Sequence, residues 1–111
     1  MLYIKNKKSG KIFKAYLNLL EELCFIESTD KIDEFIYIGR PSIYGNPFKV
    51  SDYGKGNCVD LYKNNLKEPV LKEIEKLKIK CINKNICLEC FCKPGKCHGD
   101  IIAELILKNP L

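Results

Sequence analysis

The sequence predicts a small α/β domain, with a short, at least partly parallel sheet flanked by helices. Three observations predict it. Short segments rich in aromatic and β-branched residues alternate with longer stretches of helical spacing. Two of the strand-like segments, Glu34–Gly39 and Ile86–Cys92, run straight into loops punctuated by proline and glycine. The chain has 111 residues, 46% hydrophobic and 30% charged, which suits one domain over residues 1–111 and leaves no room for a second.

Taken in order, Leu2-Tyr3-Ile4 is a short apolar first strand, interrupted at Ser9-Gly10. From Lys11 to about Ile26 the apolar positions Ile12, Phe13, Ala15, Tyr16, Leu17, Leu19, Leu20, Leu23, Cys24 and Phe25 predict a helix with a broad buried face. A polar turn over residues 27–33 precedes Glu34-Phe35-Ile36-Tyr37-Ile38-Gly39, the clearest strand. A long loop follows, broken by Pro41, Gly45, Pro47, Gly54 and Gly56. Asn57 is placed to cap a helix through Leu66, and Pro69 suits the first turn of another through Lys80. The segment Ile86–Cys92 reads as a buried strand, and a last helix runs from about Gly99 to Lys108. If the sheet is parallel there, the loops after Ile38 and Cys92 leave it at the same carboxyl edge.

Nineteen basic residues against fourteen acidic ones give +5, compatible with anionic ligands and too small to establish nucleic-acid binding. Lysines such as Lys72, Lys76, Lys78 and Lys80 read as a solvated helical face. No apolar run approaches the ~20 residues that span a bilayer. Met1-Leu2-Tyr3-Ile4-Lys5 lacks a secretory layout, so a cytoplasmic protein is expected. Seven cysteines in that setting are thiols or metal ligands rather than a disulfide framework, and Cys24, Cys58 and Cys81 sit among apolar neighbours as core thiols do.

The first loop is Gly39-Arg40-Pro41-Ser42-Ile43-Tyr44-Gly45-Asn46-Pro47-Phe48. Two prolines stiffen it, and Gly45-Asn46 suits positive φ. Arg40 has the forked charge for phosphate or carboxylate, Asn46 suits an amide or base edge, and Tyr44 or Phe48 suits a stacked ring. The bland reading is an ordinary loop with Phe48 in the core. The second loop, Cys92–Asp100, opens a helix whose exposed N–H groups favour an anion, with Lys93 and Lys96 adding charge and Gly95 and Gly99 admitting a ligand. His98 is the chain's single histidine and therefore its only imidazole acid or base. Asp100 either serves that chemistry or simply caps the helix.

Zinc is the alternative. Cys90, Cys92, Cys97 and His98 form a possible ligand set, although the paired CxxC knuckles of common zinc modules are missing. A nucleophilic Cys97 beside His98 and Lys96 is a lesser possibility.

At these two loops the sequence resembles a family catalogued as a domain of unknown function, number 4326, found in bacteria and bacteriophages. Gly39, Arg40, Ser42, Gly45, Asn46, Pro47 and Phe48 match its first motif. Cys90, Phe91, Cys92, Pro94, Cys97, His98, Gly99 and Asp100 match its second. Tyr44 stands where tryptophan is common. The resemblance covers about Phe35 to Leu107 and leaves the N-terminal third outside it. It implies a Rossmann-like fold and a phage setting.

The expected function is binding of a nucleotide- or nucleoside-derived molecule, such as an ADP-ribose-like compound or a cyclic nucleotide. The pocket would use Gly39, Arg40, Ser42, Tyr44, Gly45, Asn46, Phe48, Cys92, Lys93, Lys96, Cys97 and Gly99. Hydrolase or glycosyl-transfer chemistry by His98 and Asp100 and plain sequestration both need that pocket, and the sequence does not separate them. No cofactor is expected. The alternative is a zinc-stabilised interaction or nucleic-acid-binding module.

Overall fold

The computed structural model describes residues 1–91 and 97–108. Five strands, β1 (Leu2–Asn6), β2 (Ile12–Leu17), β3 (Leu23–Glu27), β4 (Glu34–Tyr37) and β5 (Ile86–Cys90), form one mixed sheet in the order β3-β2-β1-β5-β4. The pairs β1–β2 and β2–β3 are antiparallel, while β1–β5 and β5–β4 are parallel. Four helices accompany it: α1 (Val50–Tyr53), α2 (Lys55–Asn64), α3 (Glu68–Asn83) and α4 (His98–Lys108). The fold is therefore α/β, with its parallel part where the two loops leave the sheet.

Alternation along the strands divides the sheet into two unlike faces. Leu2, Ile4, Ala15, Ile86, Leu88 and Cys90 point to one face and join Cys58, Val59, Tyr62, Ile74, Leu77, Ile101, Ile102, Ala103 and Ile106 of the helices in the core. The other face carries Tyr3, Lys5, Lys14, Tyr16, Ile26, Phe35, Tyr37, Cys87 and Glu89 by register. No helix covers it. Residues 28–33 cross it instead, because β3 and β4 are the two opposite edges of the sheet. The crossing segment is held where the Tyr3 hydroxyl donates to Asp30 Oδ2 at 2.7 Å and Asp33 N–H donates to the Asn85 carbonyl at 2.9 Å. Burial and the Asp30 and Asp33 carboxylates together push the Tyr3 hydroxyl up to about 12, so it stays a donor.

The helix expected over residues 11–26 is instead the hairpin β2–β3. Leu19 and Leu20, counted as part of an apolar helical face, lie in the turn and are exposed. Asn18 organises that turn by accepting N–H groups from Leu20 and Glu22 through Oδ1, and Glu21 takes a φ of 59°. Ala15 is buried while Phe13 and Leu17 flank it on the same face, the two-residue period of a strand. Two leucines in a turn had disguised that period as a helical one.

Lysine placement also differs in one position. Lys78 is buried along α3 rather than solvated, its Nζ 3.9 Å from Glu75, while Lys80 reaches across to Glu34 at 3.1 Å. Cys24, Cys81 and Cys87 are free thiols. Among the described residues no helix is long and apolar enough to cross a membrane.

Candidate functional site

Strands β4 and β5 run side by side in the same direction, so the residues beyond Tyr37 and Cys90 emerge together. There the structure forms a cavity of about 330 Å³, lined by Tyr37, Gly39, Arg40, Asn46, Phe48, Val50, Cys58, Val59, Cys90, Phe91, Cys97 and His98. Both loops singled out in the sequence contribute to it. Among the described residues that line it, Arg40 is the one charged side chain, and none carries a carboxylate.

His98 joins the two loops. Its Nε2 lies 2.7 Å from the carbonyl oxygen of Ile38, the residue that follows β4. A carbonyl only accepts, so Nε2 carries the hydrogen and Nδ1 holds the lone pair. The ring meets Tyr62 edge-on, with centroids 5.1 Å apart at 63°. Burial lowers the His98 pKa below the usual imidazole range, helped by nearby Arg40 and opposed by the Ile38 bond and by Asp100. The imidazole is therefore neutral near pH 7, with only Nδ1 left for acid–base work. Tyr62 in turn donates to the Tyr44 carbonyl at 2.8 Å, and its burial raises its pKa so that it keeps the proton.

The first loop is braced from within. Asn46 Nδ2 donates to the Cys58 carbonyl at 2.9 Å, and its Oδ1 accepts from Phe48 N–H at 3.0 Å. Much of its hydrogen-bonding capacity thus fixes the loop against α2. Phe48 lines the cavity and meets Tyr53 edge-on at 5.6 Å. Tyr44 goes elsewhere: it is buried in the core, its hydroxyl 3.5 Å from the Glu73 carbonyl, and is not among the lining residues. Ser42 is also absent from the lining, and its Oγ is buried with no hydrogen-bond partner among the described residues.

Glycines act here through close approach. Neither Gly45 nor Gly39 has positive φ, contrary to the expectation for Gly45. A Cβ on Gly45 would stand 3.0 Å from Arg40 Cα, so the bare backbone lets the loop fold against the arginine. Gly99 sits under Ile38, Ile4 and Cys97, where a Cβ would meet Ile38 Cδ1 at 3.0 Å. It packs the start of α4 onto the sheet behind the cavity.

Cys90 and Cys97 place their sulfurs 3.8 Å apart, both buried, and the Cys97 thiol approaches Asp100 Oδ1 at 3.9 Å. Asp100 is the third residue of α4, two positions inside the helix rather than at its N-cap, and its N–H donates to the Cys97 carbonyl. It is not among the residues lining the cavity. Among the described residues no group of three or more His, Cys, Asp or Glu side chains is arranged to hold a metal ion. Cys92, Lys93 and Lys96 lie outside the described residues.

Tyr37, Val50, Cys58, Val59 and Phe91 line the cavity without having been singled out as site residues. Tyr37 and Phe91 had a signal: each aromatic stands at the carboxyl end of a strand, beside a candidate loop. Cys58 and Val59 had none, because α2 reaches the cavity only through the tertiary fold.

The chain is 29% identical over 85 residues to a protein of Enterobacteria phage T4 named "Uncharacterized 12.4 kDa protein in nrdA-td intergenic region"; the match covers 76% of this chain and 78% of that one. No solved structure matches the chain. The family model described as "Domain of unknown function (DUF4326)" matches residues 26–108, which takes in β4, β5, all four helices and both loops. On that match, the chain belongs to the DUF4326 family.

Proposed function

We propose that the cavity binds a nucleotide- or nucleoside-derived small molecule. One observation carries the reading: a largely apolar cavity, ringed by Tyr37, Phe48 and Phe91, whose single charged lining side chain among the described residues is the cation Arg40. Aromatic walls suit a base, and one guanidinium beside the first N–H groups of α4 suits a phosphate. The volume of about 330 Å³ is at the small end for ligand pockets, which favours one nucleoside moiety inside and any further phosphate or ribose at the mouth. In this reading the parallel trio β1-β5-β4 works as a Rossmann-like half, with its ligand outside the carboxyl ends of the strands.

If the ligand is turned over, His98 acts through Nδ1 as base in a hydrolytic or glycosyl-transfer step, with Asp100 behind it. If it is not, the same pocket sequesters the ligand. Thermal unfolding with ADP-ribose, cyclic mononucleotides and free nucleosides tests the reading. One of these classes should raise the melting temperature saturably, and Arg40→Ala should lose the rise while keeping its own melting temperature. No shift with any class at millimolar concentration would sink the proposal. Chromatography of the incubated ligand then separates turnover from sequestration.

The thiol pair favours a second reading, a zinc-stabilised module using Cys90, Cys97 and His98 with Cys92. A sulfur separation of 3.8 Å is what two thiolates on one tetrahedral zinc would have. Native mass spectrometry would show one bound zinc, and chelation would unfold the chain. A bare mass with unchanged stability in chelator removes this reading.

A further inference from the structure

The cavity leaves unused the sheet face opposite the helices, and that face has its own chemistry. Phe35 is 46% exposed and Phe91 58% exposed, while Tyr37 is half-buried beside them. Tyr37 and Phe91 meet edge-on with centroids 6.2 Å apart. Lys5 Nζ lies 5.1 Å from the Phe35 ring centroid and Lys7 Nζ 4.9 Å from that of Tyr37. Tyr3 and Cys87 are buried on this face, so its open part is the carboxyl end of β5 and β4. There the rings of Phe35, Tyr37 and Phe91 lie beside the ammonium groups of Lys5 and Lys7, with Glu89 of β5 between Lys5 and Tyr37.

Charge is concentrated on the same side. Residues 1–17 contain Lys5, Lys7, Lys8, Lys11 and Lys14 and no aspartate or glutamate. These five lysines equal the whole chain's net charge of +5, so the remaining residues are balanced. Lys5 and Lys14 belong to this face by register, and Lys7 reaches it over Tyr37. Lys8 lies in the turn between β1 and β2, and Lys11, opposite Asn6, falls on the helix side by the same alternation. Carboxylates on this side are Glu89, 4.0 Å from Lys5, Asp30, engaged by Tyr3 and acted on by the Lys14 charge, and Asp33 beside Tyr3.

We propose that the open end of this sheet face binds single-stranded nucleic acid, with unpaired bases on Phe35, Tyr37 and Phe91 and phosphates on Lys5, Lys7, Lys8 and Lys14. A flat ring on a sheet can stack only on a base that has left its duplex, which selects single strands over double ones. An incoming base displaces the lysine now above the ring, and the freed ammonium moves to the adjoining phosphate. The surface stands apart from the cavity reading: Phe35 and the five lysines do not line the cavity, whereas Tyr37 and Phe91 form a shared border.

The test is fluorescence anisotropy with a labelled single-stranded DNA or RNA oligonucleotide, and with the same sequence as a duplex, at low and moderate salt. The single strand should bind at micromolar protein and the duplex more weakly. Phe35→Ala should weaken binding by about tenfold, as loss of one stacked base does. Phe35→Leu, which keeps apolar volume without a ring, should do nearly the same if the alanine variant folds poorly. Changing Lys7 and Lys8 together to alanine should reduce the slope of log affinity against log salt by about 1.4, from roughly 0.7 per phosphate contact. No binding, equal binding of the duplex, or unchanged binding by both Phe35 variants would overturn the proposal.

Discussion

The Nε2–H of His98 donates to the Ile38 carbonyl at 2.7 Å, tying together residues sixty positions apart in the chain. One end of the bond is the first residue of α4, and the other is the exit of β4. The two loops therefore hold their relative position through a side chain that also lines the cavity.

His98→Ala removes that donor and leaves a carbonyl in a buried setting, since Ile38 is fully buried. The expected destabilisation is about 1–3 kcal/mol. Urea unfolding should show a lower midpoint at unchanged slope. A variant as stable as the parent would mean that water replaces the imidazole without loss.

The same residue sets a pH dependence. Its folded pKa is lowered below the reference value of 6.5, so the unfolded chain takes up the proton first as pH falls. Stability from this group is fully present above 6.5 and declines as pH drops from there toward the folded value. Unfolding midpoints measured between pH 8 and 5 should fall more steeply in the parent than in His98→Gln. Parallel curves would refute the assignment.

Two glycine substitutions should behave oppositely. A Cβ on Gly99 presses on Ile38, Ile4 and Cys97 inside the packed interior, and Gly99→Ala should cost about 1–3 kcal/mol. A Cβ on Gly39 meets only the outer end of Tyr37, whose hydroxyl now donates to the Arg40 carbonyl at 3.3 Å. Gly39→Ala should spare stability and swing the Tyr37 ring, which its fluorescence or NMR signals would report.

Asn46→Asp separates the two halves of the loop brace. The carboxylate still accepts from Phe48 N–H and no longer donates to the Cys58 carbonyl. Stability should fall by about 1–3 kcal/mol, and any anionic ligand of the cavity should bind more weakly beside the new charge. Tighter anion binding would place the ligand away from Asn46.

The site was more legible in the sequence than the first third of the fold. Gly39-Arg40 and Asn46-Pro47-Phe48 announce a stiff loop after a strand, and Cys97-His98-Gly99-Asp100 announces a helix start, because local backbone chemistry dictates both. Parallel pairing of β4 with β5 then brings them together. Tyr44 illustrates the limit, since only packing against α3 and Tyr62 decides that its ring enters the core and not the cavity. Residues 11–26 illustrate another: Leu19-Leu20 sits in a turn held by Asn18, where apolar character carries no burial. Strand or helix was settled there by the neighbour β1, to which Ile12–Ala15 pairs.

Strand β1 lies mid-sheet, with β2 on one side and β5 on the other, and Leu2 is matched with Ile86. During synthesis the β1-β2-β3 meander has its contacts early, while the second edge of β1 waits for a partner that follows it by 84 positions, from Leu2 to Ile86. At ribosomal speeds of about 5–20 residues per second, that wait is about 4 to 17 s. Leu2 and Ile4 lack the Ile86, Leu88 and α4 part of their core in that interval, and the bare edge is open to any other extended chain. The nascent protein is thus most prone to aggregate before β5 emerges, and a ribosome stall just ahead of Ile86 would prolong that hazard.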